Sequence, residues 1–464
     1  MFPHLLLLFA FALALSLGIT PAVRIAALRW GLVDLPDHRR KIHSVPVARI
    51  GGAAVFLAYL GACLAAATIS GGAMTSAFED LRPFVPAAVI VLAAGLVDDI
   101  AGLKPWHKLA AEIAAGLLIV PSGMSVLQGT LLASHPVIAA LCTVIWLVLC
   151  MNAVNLIDGL DGLAAGIALL ASVTALCAAL FYRNLELAVA TAPLIGVLIG
   201  FLVFNFHPAS IFLGDSGSLL IGFLLGCCGI LWSRESPAVP GIAAPAIALA
   251  VPLTDTTLAI IRRFLRAQPI FSADRAHIHH RLLACGFSQR NATLALYGAS
   301  AVACLGALIL SVAERRWEPL PIAALVCGAV IGIRRLGYAE LEAAGHLLTL
   351  NAFLREVKAR LTLRAFEDRL AAARTSADRW AAIQEGSRQF GFHAIHMQGD
   401  VASSSRWSLR IAISANDWIE MEHETGPVNH SSAVVDFAEA IERVLSHEYE
   451  TTPTESRSHE YSHD

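Results

Sequence analysis

Long apolar runs separated by short polar stretches dominate most of the chain, at 5–19, 50–69, 84–100, 108–121, 134–152, 163–182, 187–205, 217–232, 241–262, 291–312 and 319–334. A helix needs about 20 apolar residues to cross a bilayer core. The pattern therefore predicts an all-α polytopic membrane protein with about eleven transmembrane helices. Past Arg335 the pattern changes in kind. Stretches 341–370 and 379–390 have helical apolar spacing with interleaved charges, whereas 392–397, 407–413 and 418–422 alternate as strands do. A closing helix is expected at 434–445, followed by a polar tail without a core of its own. The expected organisation is a membrane domain over 1–335, a small α+β cytoplasmic C-terminal domain over 336–447, and a disordered tail over 448–464.

Composition agrees with this class. Of 464 residues, 56% are hydrophobic and 15% charged, where a soluble protein would be near a quarter charged. A net charge of -3 says nothing about a nucleic-acid partner, and none is expected. Most of the nine cysteines fall inside apolar runs without a Cys-x-x-Cys pair, so they read as small buried hydrophobes. The run at 5–19 has no basic residue before it and is followed by Arg24 and Arg29. That order predicts a retained first helix with its N-terminus outside, rather than a signal peptide. Threading the spans alternately gathers 28–48, 98–107, 152–162, 206–216 and 263–290 on one side, together with most of the cations. This side, and the tail with it, is expected to be cytoplasmic, although Arg82, Arg183, Arg234, Arg315 and Arg316 dissent.

The unusual polar residues concentrate on that side. Asn152, Asn155, Asp158 and Asp161 recur at three-residue spacing between two apolar runs, close to Gly159 and Gly162. They read either as a polar turn or as a cation or phosphate site, and unpaired polar groups next to hydrocarbon favour the second. Asp98 and Asp99 end the third run, where they are solvated, paired with Lys104 or Lys108, or used to hold a cation or take a proton. In 211–218, Gly214 and Gly217 permit a close ligand approach beside Asp215 and a helix N-terminus, although a plain capped turn would use the same residues. Pro252 to Thr256 and then His277, His279, His280 and Arg281 complete the set. The histidines resemble a zinc site in composition but lack a cysteine or closing carboxylate at metal spacing, which favours a cradle for an anionic ligand. Arg40, Lys41 and His43 repeat the theme in the first loop, ahead of Gly51 and Gly52. Carboxylates for magnesium and cations for phosphates at one membrane surface are what phosphoryl transfer requires.

In these motifs, over roughly 28–335, the chain resembles the polyprenyl-phosphate N-acetylhexosamine-1-phosphate transferases (glycosyltransferase family 4), which start bacterial O-antigen, teichoic acid and peptidoglycan lipid intermediates. The His-x-His-His form is similar to the branch that uses UDP-N-acetylglucosamine. The resemblance implies transfer of N-acetylhexosamine 1-phosphate from a UDP-sugar to undecaprenyl phosphate, with release of UMP and with Mg2+, or Mn2+ in its place, as cofactor. It implies catalytic roles for Asp98, Asp99, Asp158 and Asp161, and metal ligation by Asp215 with Asn155. Substrate binding falls to Arg40, Lys41, His43, Asn152, His277, His279, His280 and Arg281. Alanine at His279 is then expected to weaken UDP-sugar use and leave thermal stability nearly unchanged. The first loop departs from the family in having Ala48 where a second proline is usual. The shortest members lack the soluble tail, which is expected to be a docking, regulatory or dimerising module, a homodimer forming through its helix or domain. A transporter or a lipid-diphosphate phosphatase is the competing reading. The bacterial inner membrane is the expected location, with the active site facing the cytoplasm.

Overall fold

A computed structural model describes residues 2–34, 46–69, 73–128, 130–234, 241–265, 268, 277–312, 319–335, 350–373, 375–390, 392–397, 407–412, 418–423 and 437–441. The chain divides into two compact units, Met1–Ile261 with Ile270–Gly337, and Arg262–Pro269 with Tyr338–Asp464.

The first unit is helical: α1 (Phe2–Trp30), α2 (Gly51–Ile69), α3 (Ala73–Leu81), α4 (Phe84–Ala101), α5 (Pro105–Ile119), α6 (Pro136–Ile157), α7 (Leu163–Tyr182), α8 (Leu185–Asn205), α9 (Gly214–Ser233), α10 (Ala243–Ala248), α11 (Ala250–Leu265), α12 (Ile278–Ala284), α13 (Gln289–Val312) and α14 (Pro319–Arg335). Among the described residues, eight helices (α1, α2, α4, α6, α7, α8, α9 and α13) are long and apolar enough to cross a membrane. The protein is a multi-pass membrane protein. Three of the about eleven expected spans take another form. The run at 108–121 lies in α5, a 15-residue helix opened by Pro105. The run at 241–262 breaks at Leu249 into α10 and α11, and the last run forms a 17-residue helix.

Helix α9 lies at the centre, buried at every residue from Ser216 to Ser233. Its neighbours are α2, α4, α6 and α7. Small residues explain the close fit. A side chain at Gly222 would collide with the Met151 backbone on α6, and one at Gly226 would meet Leu147. The space is used by Trp146, whose Nε1 donates to the Gly226 carbonyl at 2.9 Å. In an apolar solvent helices gain little by hiding apolar surface, so close backbone approach and such interhelical hydrogen bonds carry the packing.

The second unit contains α15 (Leu350–Ala372), α16 (Ser376–Gln389) and three strands, β3 (Phe392–Met397), β4 (Trp407–Ala412) and β5 (Trp418–His423). The strands form an antiparallel sheet in the order β3-β5-β4. Thr375 caps α16 through a capping box with Asp378. Phe366, Ile383, Phe392, Met421 and Phe437 share its apolar core. The expected tail at 448–464 lies outside the described residues.

Candidate active site

The site begins where two loops join. Strands β1 (Val33–Asp34) and β2 (Val47–Ala48) pair antiparallel, and Ala48 forms a parallel bridge to Ile211. Three backbone bonds extend the seam: Phe212 N–H to Ala48, Gly51 N–H to Phe212, and Gly52 N–H to Leu213, at 2.8–3.0 Å. Gly52 then lies so close to α9 that a Cβ there would strike Gly217 and Ser216. Gly214 has φ +69, and its missing side chain leaves room for the Arg49 carbonyl and the Asp99 carboxylate. The seam fixes Arg49 beside the first turn of α9.

Five charged groups meet there. The Asp99 carboxylate is fully buried and accepts from the Asp215 amide at 2.8 Å, the Ser216 amide at 3.1 Å and the Ser216 hydroxyl at 2.7 Å. It thus caps α9 from α4, where helix N-terminal amides would otherwise lack partners. Arg49 Nε lies 3.3 Å from Asp99, and its terminal nitrogen 3.7 Å from Asp215. Lys108 on α5 bridges Asp215 at 2.5 Å and Asp98 at 3.3 Å. Asp98 also accepts from the Leu103 amide at 2.7 Å. Lys104, the other cation expected near these carboxylates, lies instead over the Trp106 ring at 5.1 Å.

The 152–162 motif lines the neighbouring side. Asn155 donates to the Ser218 hydroxyl at 2.9 Å, and Ser218 donates to the Gly214 carbonyl at 3.0 Å, which ties α6 to the turn bearing Asp215. Asn152 donates to Glu112 on α5 and to the Val148 carbonyl. Asp158 ends α6 half-buried. Loss of water pushes its carboxyl up to about 8, the charges of Asp215, Asp99 and Asp161 push the same way, and Arg49 opposes them. Asp161 points elsewhere, to His207 Nδ1 at 2.8 Å and the Ala209 amide at 3.1 Å. It ties its loop to the connection between α8 and α9.

The histidine segment is anchored by Asp255 on α11. This buried carboxylate accepts from the Ile278 amide at 2.9 Å and lies 2.9 Å from His277 Nδ1. His277 and His279 rings stack at 5.8 Å, and His280 tilts against His279 at 4.3 Å. His279 is 2% exposed and packs on Gly159, where a Cβ would strike its ring, and among the described residues its Nδ1 has no hydrogen-bond partner. Burial lowers its pKa to about 3, helped by His280 and His277 and opposed by Asp255. This burial corrects the expectation that alanine at His279 spares stability, since truncation opens a cavity beside Gly159. His280 is exposed and Arg281 half-buried.

The structure brings Asp98, Asp99 and Asp215 together, with Asn155 and Asp158 next to them; Arg40, Lys41 and His43 lie outside the described residues. Sequence reasoning did not assign roles to Arg49, Glu112, Asp255 or His207. A charged residue inside the apolar run 108–121, four positions after Lys108, was the available signal for Glu112. Among the described residues no three His, Cys, Asp or Glu side chains gather closely enough to hold a metal ion unaided. The donor chemistry suits Mg2+ in another way, because that ion commonly takes one or two carboxylates and completes its shell with substrate phosphates and water. Asp215, at the cluster's solvent edge with its side chain 17% exposed, meets that requirement.

Comparison with known proteins gives the same region a family. A model described as glycosyl transferase family 4 matches residues 82–233. The chain is 36% identical over 307 residues to a Bacillus subtilis (strain 168) protein named probable undecaprenyl-phosphate N-acetylglucosaminyl 1-phosphate transferase, covering 65% of this chain and 84% of the relative. It is 36% identical over 310 residues to the decaprenyl-phosphate N-acetylglucosaminephosphotransferase of Mycolicibacterium smegmatis, covering 59% and 74% respectively. Over 143 residues it is 41% identical to the phospho-N-acetylmuramoyl-pentapeptide-transferase of Latilactobacillus sakei, covering 29% and 44%.

Proposed function

The chain belongs to glycosyl transferase family 4, and on that premise we propose that it transfers N-acetylglucosamine 1-phosphate from UDP-N-acetylglucosamine to undecaprenyl phosphate, releasing UMP. The observation that carries the reading is the meeting of Asp98, Asp99 and Asp215 with Lys108 and Arg49 at one end of α4 and α9. In the reaction an oxygen of the prenyl phosphate attacks the β-phosphorus of the nucleotide sugar. A new phosphoanhydride forms, the bond from the β-phosphorus to the bridging oxygen breaks, and UMP leaves with that oxygen. Catalysis of such a step is mostly positioning and charge neutralisation.

Each group has a part in this. Lys108 and Arg49 neutralise the phosphates, while Asp98 receives the prenyl phosphate beside Lys108. Asp99 acts through α9, holding the turn that aims Asp215. Asp215 and Asn155 would hold Mg2+, which when bound neutralises the diphosphate and stabilises charge on the leaving UMP. Asp158, beside Asp215 and Asp99, positions the nucleotide or takes part in catalysis. His280 and Arg281 contact the nucleotide sugar, the buried rings of His277 and His279 hold the segment that carries them, and Asp161 braces the loop that joins this segment to the carboxylates. The active site faces the cytoplasm of the plasma membrane, where the product would begin a cell-envelope polysaccharide such as O-antigen. The C-terminal unit is an α+β docking, regulatory or dimerising module.

The test is direct. Purified protein with Mg2+, undecaprenyl phosphate and a panel of UDP-sugars should release UMP only when both lipid and UDP-N-acetylglucosamine are present. Phosphate release without a UDP-sugar would point to a phosphatase, and inactivity with every sugar would remove the assignment.

A further inference from the structure

Glu112 is 3% exposed on α5, within the helical membrane unit, and the reaction as derived gives it no task. A carboxylate in such surroundings is costly and is kept where it serves a purpose. It lies one helical turn after Lys108, on the same face, and binds Asn152 Nδ2. That nitrogen also donates to the Val148 carbonyl at 2.9 Å. A backbone carbonyl can only accept, so the orientation of the Asn152 amide follows from Val148 as well as from Glu112. Both hydrogens of Nδ2 are thereby used within the protein. The remaining polar atom of the side chain, Oδ1, can only accept.

We propose that Glu112 is a positioning residue that locks the Asn152 carboxamide, so that Asn152 offers the active site an acceptor oxygen and not a donor N–H. Its partner is then a hydrogen-bond donor or a cation. The acetamido N–H or a hydroxyl of the nucleotide sugar has this chemistry, and so does Mg2+; a phosphate oxygen does not. The inference rests on the transferase reading for its site, but the pairing of the two side chains can be read without it.

Reversing the polarity of the pair tests the proposal. In Asn152→Asp an acidic side chain faces Glu112, and activity should fall at least tenfold. Glu112→Ala should also fall about tenfold, through kcat or the UDP-sugar KM, with the Km for undecaprenyl phosphate within twofold of the parent. In the double variant Glu112→Gln/Asn152→Asp, the glutamine amide donates to the aspartate, whose second oxygen still faces the site, while the donation to the Val148 carbonyl is lost. Activity should recover at least threefold over Asn152→Asp without reaching the parent. A changed UDP-sugar KM across the set identifies the sugar nucleotide as the partner, and a changed Mg2+ half-saturation identifies the cation. Melting temperatures of these proteins and of the single variant Glu112→Gln, which closes the cycle, separate folding from function. Coupling between positions 112 and 152 should appear there even if the parent releases no UMP, an outcome that would remove the transferase reading alone. A double variant as poor as Asn152→Asp while its melting temperature recovers would overturn the acceptor assignment. Parent-like kinetics in Glu112→Ala would overturn the positioning role.

Discussion

The carboxylate of Asp99, at the end of α4, holds the backbone amide of Asp215, at the start of α9, at 2.8 Å. One acidic residue therefore sets the position of another that is 116 residues away in the chain. Adjacent carboxylates at 98 and 99 consequently have different duties, the first toward Lys108 and the second toward the α9 backbone.

Asp99→Ala should accordingly damage the fold as well as the chemistry. It strands two amides and a hydroxyl at the start of α9, which costs about 2–4 kcal/mol. Asp98→Ala should reduce turnover with a much smaller change in melting temperature. Thermal unfolding and UMP release measured on both variants in the same detergent check the contrast. Equal melting temperatures would contradict the division of labour.

Asp215 and Lys108 should respond oppositely to magnesium. Asp215→Asn removes the charge proposed to hold the ion and should lower turnover by about a hundredfold or more, with the protein still inserted. Lys108→Met removes a cation at 2.5 Å from that carboxylate. Turnover should again fall, yet the Mg2+ concentration for half-maximal activity should drop, because a competing charge has gone. Magnesium titrations of the three proteins decide the point.

His279 supplies a prediction in pH. Its native pKa of about 3 lies below the roughly 6.5 of an unfolded histidine, so the unfolded chain binds the proton more readily. Stability should be fully present above pH 6.5 and decline as the pH falls from there toward 3. His279→Gln should show a shallower decline in melting temperature over that window. His279→Ala should lower the melting temperature at neutral pH and raise the UDP-sugar KM.

Gly52 is the packing test. Its Cβ position is occupied by the Ser216 and Gly217 backbone, with Ser216 Oγ at 2.6 Å. Gly52→Ala must push the first loop off α9, and Arg49 with it. Activity should fall at least tenfold, more than for Gly61→Ala, whose nearest neighbour is the Leu15 side chain at 3.3 Å. Comparable activity in the two variants would remove the seam as a determinant of the site.

The sequence alone determined the helical membrane class, since apolar runs near bilayer length have few other uses. It also determined the principal acidic motifs, because Asp98, Asp99, Asp158 and Asp215 stand out against an apolar background. Span lengths were less legible. The runs at 108–121 and 241–262 read as spans by hydropathy, but Pro105 and the break at Leu249 shape the helices they form. What tertiary structure decided was pairing. Hydropathy registers one residue's preference for water or lipid and carries no information about partners distant in the chain. Only the packing of α4 against α9 makes Asp99 a cap, and only the 47–52 seam turns Arg49 from a loop cation into a neighbour of Asp215. Glu112 is a lone acidic residue in an apolar run, and only the packing of α5 against α6 brings its carboxylate to Asn152.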